Sequence, residues 1–285
     1  MIKPINKYKF VTNELIALAR SRRPERRSWH SAKQSILLAA SYLRKEAGEN
    51  SLPIRLEGIE KLRMITKEET YKPQDTLDAI LVPVLGGFLL RLNSNLTSSR
   101  QRFSIAHEIG HTFFYNFSYN PPVRILSRES SRLLIDKEED ICNAFARELL
   151  MPREFVERDL DEHNNRDLEL ILTLASKYRV SAEVTARRLI LDLSEYDKTV
   201  LIFAEKSSGR KNQNKNIWWY YGKTLKRYIR KDEDAIFRQV LSVISDQRSE
   251  NILEKIAELL SDEAMLQWYE SKPDSRLMVL LSFYR

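Results

Sequence analysis

The chain has 285 residues, of which 42% are hydrophobic and 31% charged, a balance that excludes a disordered protein and leaves ample material for a core. No apolar run reaches the ~18 residues that a membrane-spanning helix needs, since the best candidate, Ile80 to Leu90, is broken by Pro83 and Gly86-Gly87. The formal charge of +7 is uneven: nine of the 47 Lys and Arg lie between residues 206 and 231, where there is no acid, and the rest of the chain holds 38 bases against 40 acids.

The N-terminal MIKPINKYKF has neither the apolar stretch nor the cleavage site of a secretory leader. With a single cysteine, Cys142, there is no internal disulfide framework. A cytoplasmic protein without a membrane partner is expected. Residues 1–49 read as an extension carrying the arginine cluster RSRRPERR (20–27), then a helix from about Ser31. Ile36, Leu37, Ala40 and Leu43 give that helix one apolar face, and Gly48 stops it. LPIRLEGIEKLRMI (52–65) predicts a turn and a short amphipathic helix. AILVPVLGGFLLRLN (79–93) predicts a hairpin, two apolar runs joined through a Gly-Gly pair. A helix is expected from Ser99 or Arg102 to about Asn116, followed by an irregular segment over 117–134 marked by Pro121-Pro122. Asp136–Leu150 is the next predicted helix, stopped by Pro152, and two more follow within 167–193.

After Tyr196 the texture changes. TVLIFAE (199–205), NIWWYYG (216–222) and RLMVLLSFY (276–284) predict strands, with helices at about 232–247 and 250–261 between them. The boundary is placed near 195, so that 196–285 form a small α/β domain, sensory or partner-binding.

The chemistry is concentrated in RFSIAHEIGHTFF (102–114). On a helix, His107 and His111 stand at i and i+4 on one face, a spacing at which two imidazoles reach the same ion. Glu108 points roughly 100° away, close enough to address water at that ion. Zinc lowers the pKa of such water from about 15.7 to about 7, and a carboxylate alongside takes the proton as attack begins. Chance is the bland explanation, but the chain has four histidines and two of them fall at this spacing. A zinc site needs a third protein ligand. In EEDICNAFARELLMP (138–152), Glu139, Cys142, Asn143, Ala146 and Leu150 form one mostly apolar stripe. A carboxylate there is expensive unless paired or metal-bound, which makes Glu139 the preferred ligand. Two alternatives stand beside it. Asp136 and Glu139 can instead form a capping box at a helix start, and Cys142 is the competing soft ligand one turn on. Asn143 is placed to hydrogen-bond a ligand histidine. Tyr115, Tyr119 and His163 are candidates for stabilising an oxyanion.

AHEIGH (106–111), the later E-x-x-x-N-x-F-A-x-x-L-L-M-P (139–152) and the lead-in PIRLEGIEKL (53–62) together resemble the ImmA/IrrE family of zinc metallopeptidases over about residues 50–195. The resemblance implies an α+β, zincin-like (gluzincin-type) domain, mostly helical with a small sheet. It implies His107, His111 and Glu139 as zinc ligands and Glu108 as catalytic base. It also implies a cytoplasmic substrate, a helix-turn-helix repressor whose cleavage releases stress or mobile-element genes. Cys142 departs from the alanine usual in the family.

Two further segments point elsewhere. LASKYRVSAEVTARRL (174–189) has a helix-turn-helix cadence, weakened by Arg179 at the turn position that favours glycine. The basic window 206–231 interleaves its cations with Trp218, Trp219, Tyr220, Tyr221 and Tyr228, a texture suited to single-stranded nucleic acid. The competing reading is a two-sided strand with a solvated basic edge, and it is preferred. The rival function is therefore a nucleic-acid-binding regulator with a structural or degenerate zinc site.

Overall fold

The computed structural model describes residues 8, 10, 11, 13–15, 26–71, 77–125, 132–163, 166–193, 195, 199–205, 216–221, 264–271 and 276–283. The chain divides into two compact units, Met1–Arg158 with Ala175–Ser181, and Asp159–Leu174 with Ala182–Arg285. Among the described residues no helix is long and apolar enough to cross a membrane.

The first unit is mostly helical with a small sheet. Helix α1 (Arg26–Glu46) starts five residues before the expected Ser31. Trp29, Ala32, Ile36, Ala40 and Leu43 recur along it at three- and four-residue intervals and are all buried. Tyr8, Val11 and Leu15 of the N-terminal extension are buried too, so that segment contributes to the core. Helix α2 (Glu57–Leu62) follows the predicted turn. Strands β1 (Ile65–Tyr71), β2 (Ala79–Val84) and β3 (Gly87–Asn93) form a sheet in the order β1-β3-β2.

The hairpin expected at 79–93 is β2 and β3, with Val84 paired to Gly87 across the turn. Gly87 has φ +151°, and a Cβ there would lie 1.9 Å from the Met64 carbonyl oxygen, so only glycine fits beside β1. Strand β1 was not legible in ITKEETY. It pairs in parallel with β3, and Phe88 N–H donates to Met64 O at 2.8 Å.

Helix α3 (Ser98–His111) carries the first motif and ends five residues before the expected Asn116. Thr112 Oγ1 donates to Ile109 O at 2.6 Å and accepts from Arg63 Nε at 2.8 Å. The chain then tightens into a 3₁₀ turn over Thr112–Phe114 that buries Phe113 and Phe114. The Arg63 guanidinium, itself buried, lies 4.0 Å from the Phe113 ring centre.

Part of the expected irregular segment is a small hairpin, β4 (Tyr115–Asn116) against β5 (Val123–Arg124); residues 126–131 lie outside the described residues. Helix α4 (Arg132–Leu150) begins four residues before the expected Asp136. Asp136 is thus inside the helix, and the capping-box alternative falls because its N–H groups there are already in the helical ladder. Helix α4 packs against both α3 and α1. Ile109, Phe113, Phe145 and Leu149 lie within this core, each stabilising by about 1.5–3 kcal/mol through burial. Helix α5 (Arg153–Asp161), not predicted from sequence, follows Pro152.

The expected pair of helices is α6 (Leu168–Tyr178) and α7 (Ala182–Arg187), the latter running into a π-helical turn over Arg188–Leu193. Arg179 between them takes φ 53°, the left-handed conformation, without being glycine. Its carbonyl accepts Arg102 Nε–H at 3.3 Å.

In the second unit, β6 (Thr199–Glu205), β7 (Asn216–Tyr221), β8 (Ala264–Ser271) and β9 (Arg276–Phe283) form an antiparallel sheet in the order β7-β6-β9-β8. Three of these strands match the expected ones; β8 was not foreseen. Val200, Leu201, Ile202, Met278, Val279 and Leu280 are buried on its two central strands. The helices expected at 232–247 and 250–261 lie outside the described residues.

Candidate metal centre

Helix α3 sets His107 and His111 one turn apart, with ring centres 4.7 Å apart and planes at 68°. Their Nε2 atoms face each other at 3.0 Å. Between Ile109 and His111, Gly110 lets α4 come close: a Cβ there would meet Cys142 Cα at 3.3 Å and Phe145 Cδ1 at 3.2 Å. Through that approach the Glu139 carboxylate reaches the pair, its Oε2 3.1 Å from His107 Nε2 and its Oε1 3.3 Å from His111 Nε2. Glu108 joins from the motif helix itself, since His107, Glu108 and His111 offer donor atoms all within 4.8 Å of one another.

The other nitrogen of each ring decides what the facing nitrogens carry. His107 Nδ1 lies 3.2 Å from Asn143 Oδ1, and His111 Nδ1 lies 2.7 Å from Glu138 Oε1. Both partners are acceptors, so each imidazole places its proton on Nδ1 and keeps a lone pair on Nε2. Two lone pairs and a carboxylate therefore converge on one point. That arrangement repels itself unless a metal ion fills it or, without one, an Nε2 proton is shared with the Glu139 carboxylate. Two ligands about 2.0–2.1 Å from a tetrahedral ion stand about 3.3 Å apart, close to the observed separations of 3.0, 3.1 and 3.3 Å. The donor set is compatible with a divalent metal.

Charge at the site follows the same geometry. Burial, the largest influence, raises the pKa of Glu108 above the ordinary carboxylate value; the two histidines oppose this, and Glu139 and Glu138 add to it. A carboxylate of raised pKa is a better proton acceptor near neutral pH. Hydrogen bonds from His107 and then His111 hold the Glu139 pKa far below the usual range. For His111, burial lowers the pKa, but Cys142, Glu138 and Glu139 outweigh it and the net direction is upward. Burial pushes the Cys142 thiol up to about 11.

Glu138 was missed by the sequence reading. It is fully buried, and its second oxygen accepts Arg124 Nη2–H at 2.7 Å. The only sequence signal was its place in the Glu138-Glu139 doublet, where neighbours on a helix point to different sides. The oxyanion candidates separate. Tyr115 is buried edge-to-face on Phe88 with ring centres 5.0 Å apart. Tyr119 is exposed. His163, just past the end of α5, donates Nδ1–H to the Asp159 carbonyl at 2.7 Å. Of the basic window, residues 206–215 and 222–231 lie outside the described residues, and Trp218 to Tyr221 fall on the edge strand β7.

Residues 65–190 match the IrrE N-terminal-like domain, Peptidase M78. No curated protein sequence matches the chain. A solved structure described as "Mycobacterium tuberculosis transcriptional regulator" is 14% identical with a TM-score of 0.45, the match covering 96% of this chain and 79% of that one. The matched segment contains the paired histidines, Glu108 and the whole of helix α4, and over it this chain is similar to the ImmA/IrrE family.

Proposed function

We propose that the chain is a zinc-dependent endopeptidase of the gluzincin type, with His107, His111 and Glu139 holding the metal and Glu108 acting as general base. The observation that carries this reading is the convergence of two Nε2 lone pairs and the Glu139 carboxylate within 3.0–3.3 Å of one another. When bound, zinc supplies the Lewis acidity that polarises a scissile carbonyl and acidifies water. Glu108 takes the proton from the attacking water and passes it to the departing amine, a role its raised pKa suits. Asn143 and Glu138 fix the tautomers of the two histidines. The turn side of the hairpin 79–93 offers strand β2, at the edge of its sheet, for pairing with an extended substrate.

The partner is a cytoplasmic protein, and a helix-turn-helix repressor whose cleavage derepresses stress or mobile-element genes suits the family. In this reading residues 196–285 are a small α/β domain that senses a signal or binds a partner. A regulator that binds nucleic acid is the second reading, and the left-handed Arg179 between α6 and α7 favours it as a helix-turn-helix turn. A closed structural zinc site takes a fourth protein ligand, whereas the proposed set of His107, His111 and Glu139 supplies three and leaves a position for water. That weighs toward catalysis.

The test is to incubate the zinc-loaded chain with a helix-turn-helix repressor, if one is encoded beside its gene, and to read fragments by mass spectrometry. A single cut that disappears with Glu108→Gln supports the reading; an intact repressor rejects this substrate.

A further inference from the structure

Arg124 lies outside both motifs, on β5 of the small hairpin that follows the motif helix. Its Nη2 donates to Glu138 Oε2 at 2.7 Å, while Glu138 Oε1 accepts His111 Nδ1–H at 2.7 Å. The two oxygens of one buried carboxylate are thus divided between a guanidinium and an imidazole. We propose that Arg124 is a positioning residue for the metal centre, locking the Glu138 carboxylate and through it the ring orientation and tautomer of His111. The proposal rests on His111 being a metal ligand, as argued above.

The reason lies in what each histidine's partner leans on. Asn143 and Glu138 both stand on α4, but a carboxylate turns about its last torsion and Glu138 has no exposure to solvent. A buried oxygen with no donor is costly, so without Arg124 the carboxylate turns or shifts to find one, and the His111 Nδ1–H loses its fixed acceptor. Arg124 is held in its turn. It faces Tyr115 across the hairpin and donates a side-chain hydrogen bond to that residue's hydroxyl oxygen, while Ile125 N–H donates to Phe114 O at 2.8 Å. Only the 3₁₀ turn Thr112–Phe114 separates His111 from β4, so the hairpin is tied to the metal helix both through the chain and through this relay. Orientation of this kind typically governs metal affinity by about 10–100-fold.

The experiment measures zinc affinity by chelator competition on the full chain, with circular dichroism to establish folding. Arg124→Ala is expected to weaken zinc binding about 10-fold or more. In a Glu138→Gln background the same substitution should change it by less than about 2-fold, because Arg124 acts through Glu138. A general packing role would give equal losses in both backgrounds. Cobalt(II) adds a second readout: the visible ligand-field bands should move in Arg124→Ala and stay near wild type in Arg124→Lys, which keeps a cationic donor. Should Arg124→Ala fail to fold, Arg124→Gln takes its place in the same cycle. Equal losses in both backgrounds, or undiminished zinc affinity in Arg124→Ala beside a wild type that binds zinc, overturn the proposal alone. A wild type that binds no zinc overturns the ligand assignment, and this proposal with it.

Discussion

His107 Nε2 and His111 Nε2 stand 3.0 Å apart, while the Nδ1 of each ring faces an oxygen, Asn143 Oδ1 at 3.2 Å and Glu138 Oε1 at 2.7 Å. Two imidazoles that donate outward through Nδ1 point their lone pairs at each other, and a cation between them resolves the repulsion.

The purified chain should carry about one zinc ion, and His107→Ala or His111→Ala should lose it to a chelator at ordinary concentrations, because two remaining ligands hold the ion poorly. Glu108→Gln should retain zinc and lose proteolysis by about 100-fold or more, since it removes a base and not a ligand. Metal analysis of the three variants beside wild type separates these roles. Wild-type protein empty after zinc-replete expression would sink the assignment.

Glu139 and Cys142 compete for the third ligand position on different grounds. Glu139→Ala should weaken zinc binding by two orders of magnitude or about that, whereas Cys142→Ala should leave it near wild type. Cobalt substitution reads the donor directly, because a thiolate ligand gives an intense near-ultraviolet charge-transfer band. With the Glu139 carboxylate already 3.1–3.3 Å from both Nε2 atoms, no such band is expected. Its appearance would transfer the role to Cys142.

At Gly110 the two metal-bearing helices touch. Gly110→Ala places a methyl 3.3 Å from Cys142 Cα and 3.4 Å from Cys142 Cβ, and backbone cannot give way as a side chain can. The substitution should destabilise the fold by about 1–3 kcal/mol and move α4, with Glu139, away from the histidines. Thermal melts and zinc titration of one sample measure both effects. A stabilised Gly110→Ala, the usual result of replacing glycine in a helix, would show that the contact is not limiting.

Cys142 makes the alkaline side of the stability profile informative. Its folded pKa is raised to about 11 by burial, above the ordinary thiol value near 9. Between those two pH values the unfolded chain loses the thiol proton and the folded chain keeps it. This contribution to stability is therefore complete below about pH 9 and is lost as pH rises through about 11. Denaturant titrations from pH 8 upward should show a shallower decline in Cys142→Ala than in wild type. Identical declines would mean that the thiol ionises as readily folded as unfolded.

What the sequence alone determined is local. The i, i+4 histidines, the apolar stripe through Cys142, Ala146 and Leu150, and the hairpin at 79–93 all follow from the periods of helix and strand, which residues a few positions apart express by themselves. The order of the two motifs also carried the family resemblance. Tertiary structure decided the rest, because it depends on partners distant in the chain. ITKEETY has no strand pattern of its own, and becomes β1 through parallel pairing with β3, some twenty residues on. Helix α4 reaches back to Arg132, and this removes the capping box that Asp136 suggested. Gly110 reads as one more helical residue until α4 is laid against it. Glu138 lies off the stripe that singled out Glu139, so nothing local gave it a partner, yet packing gave its carboxylate to Arg124 and the His111 Nδ1, and that of Glu139 to the two Nε2 atoms. Adjacent helix positions face different surroundings, and only the folded chain supplies those surroundings.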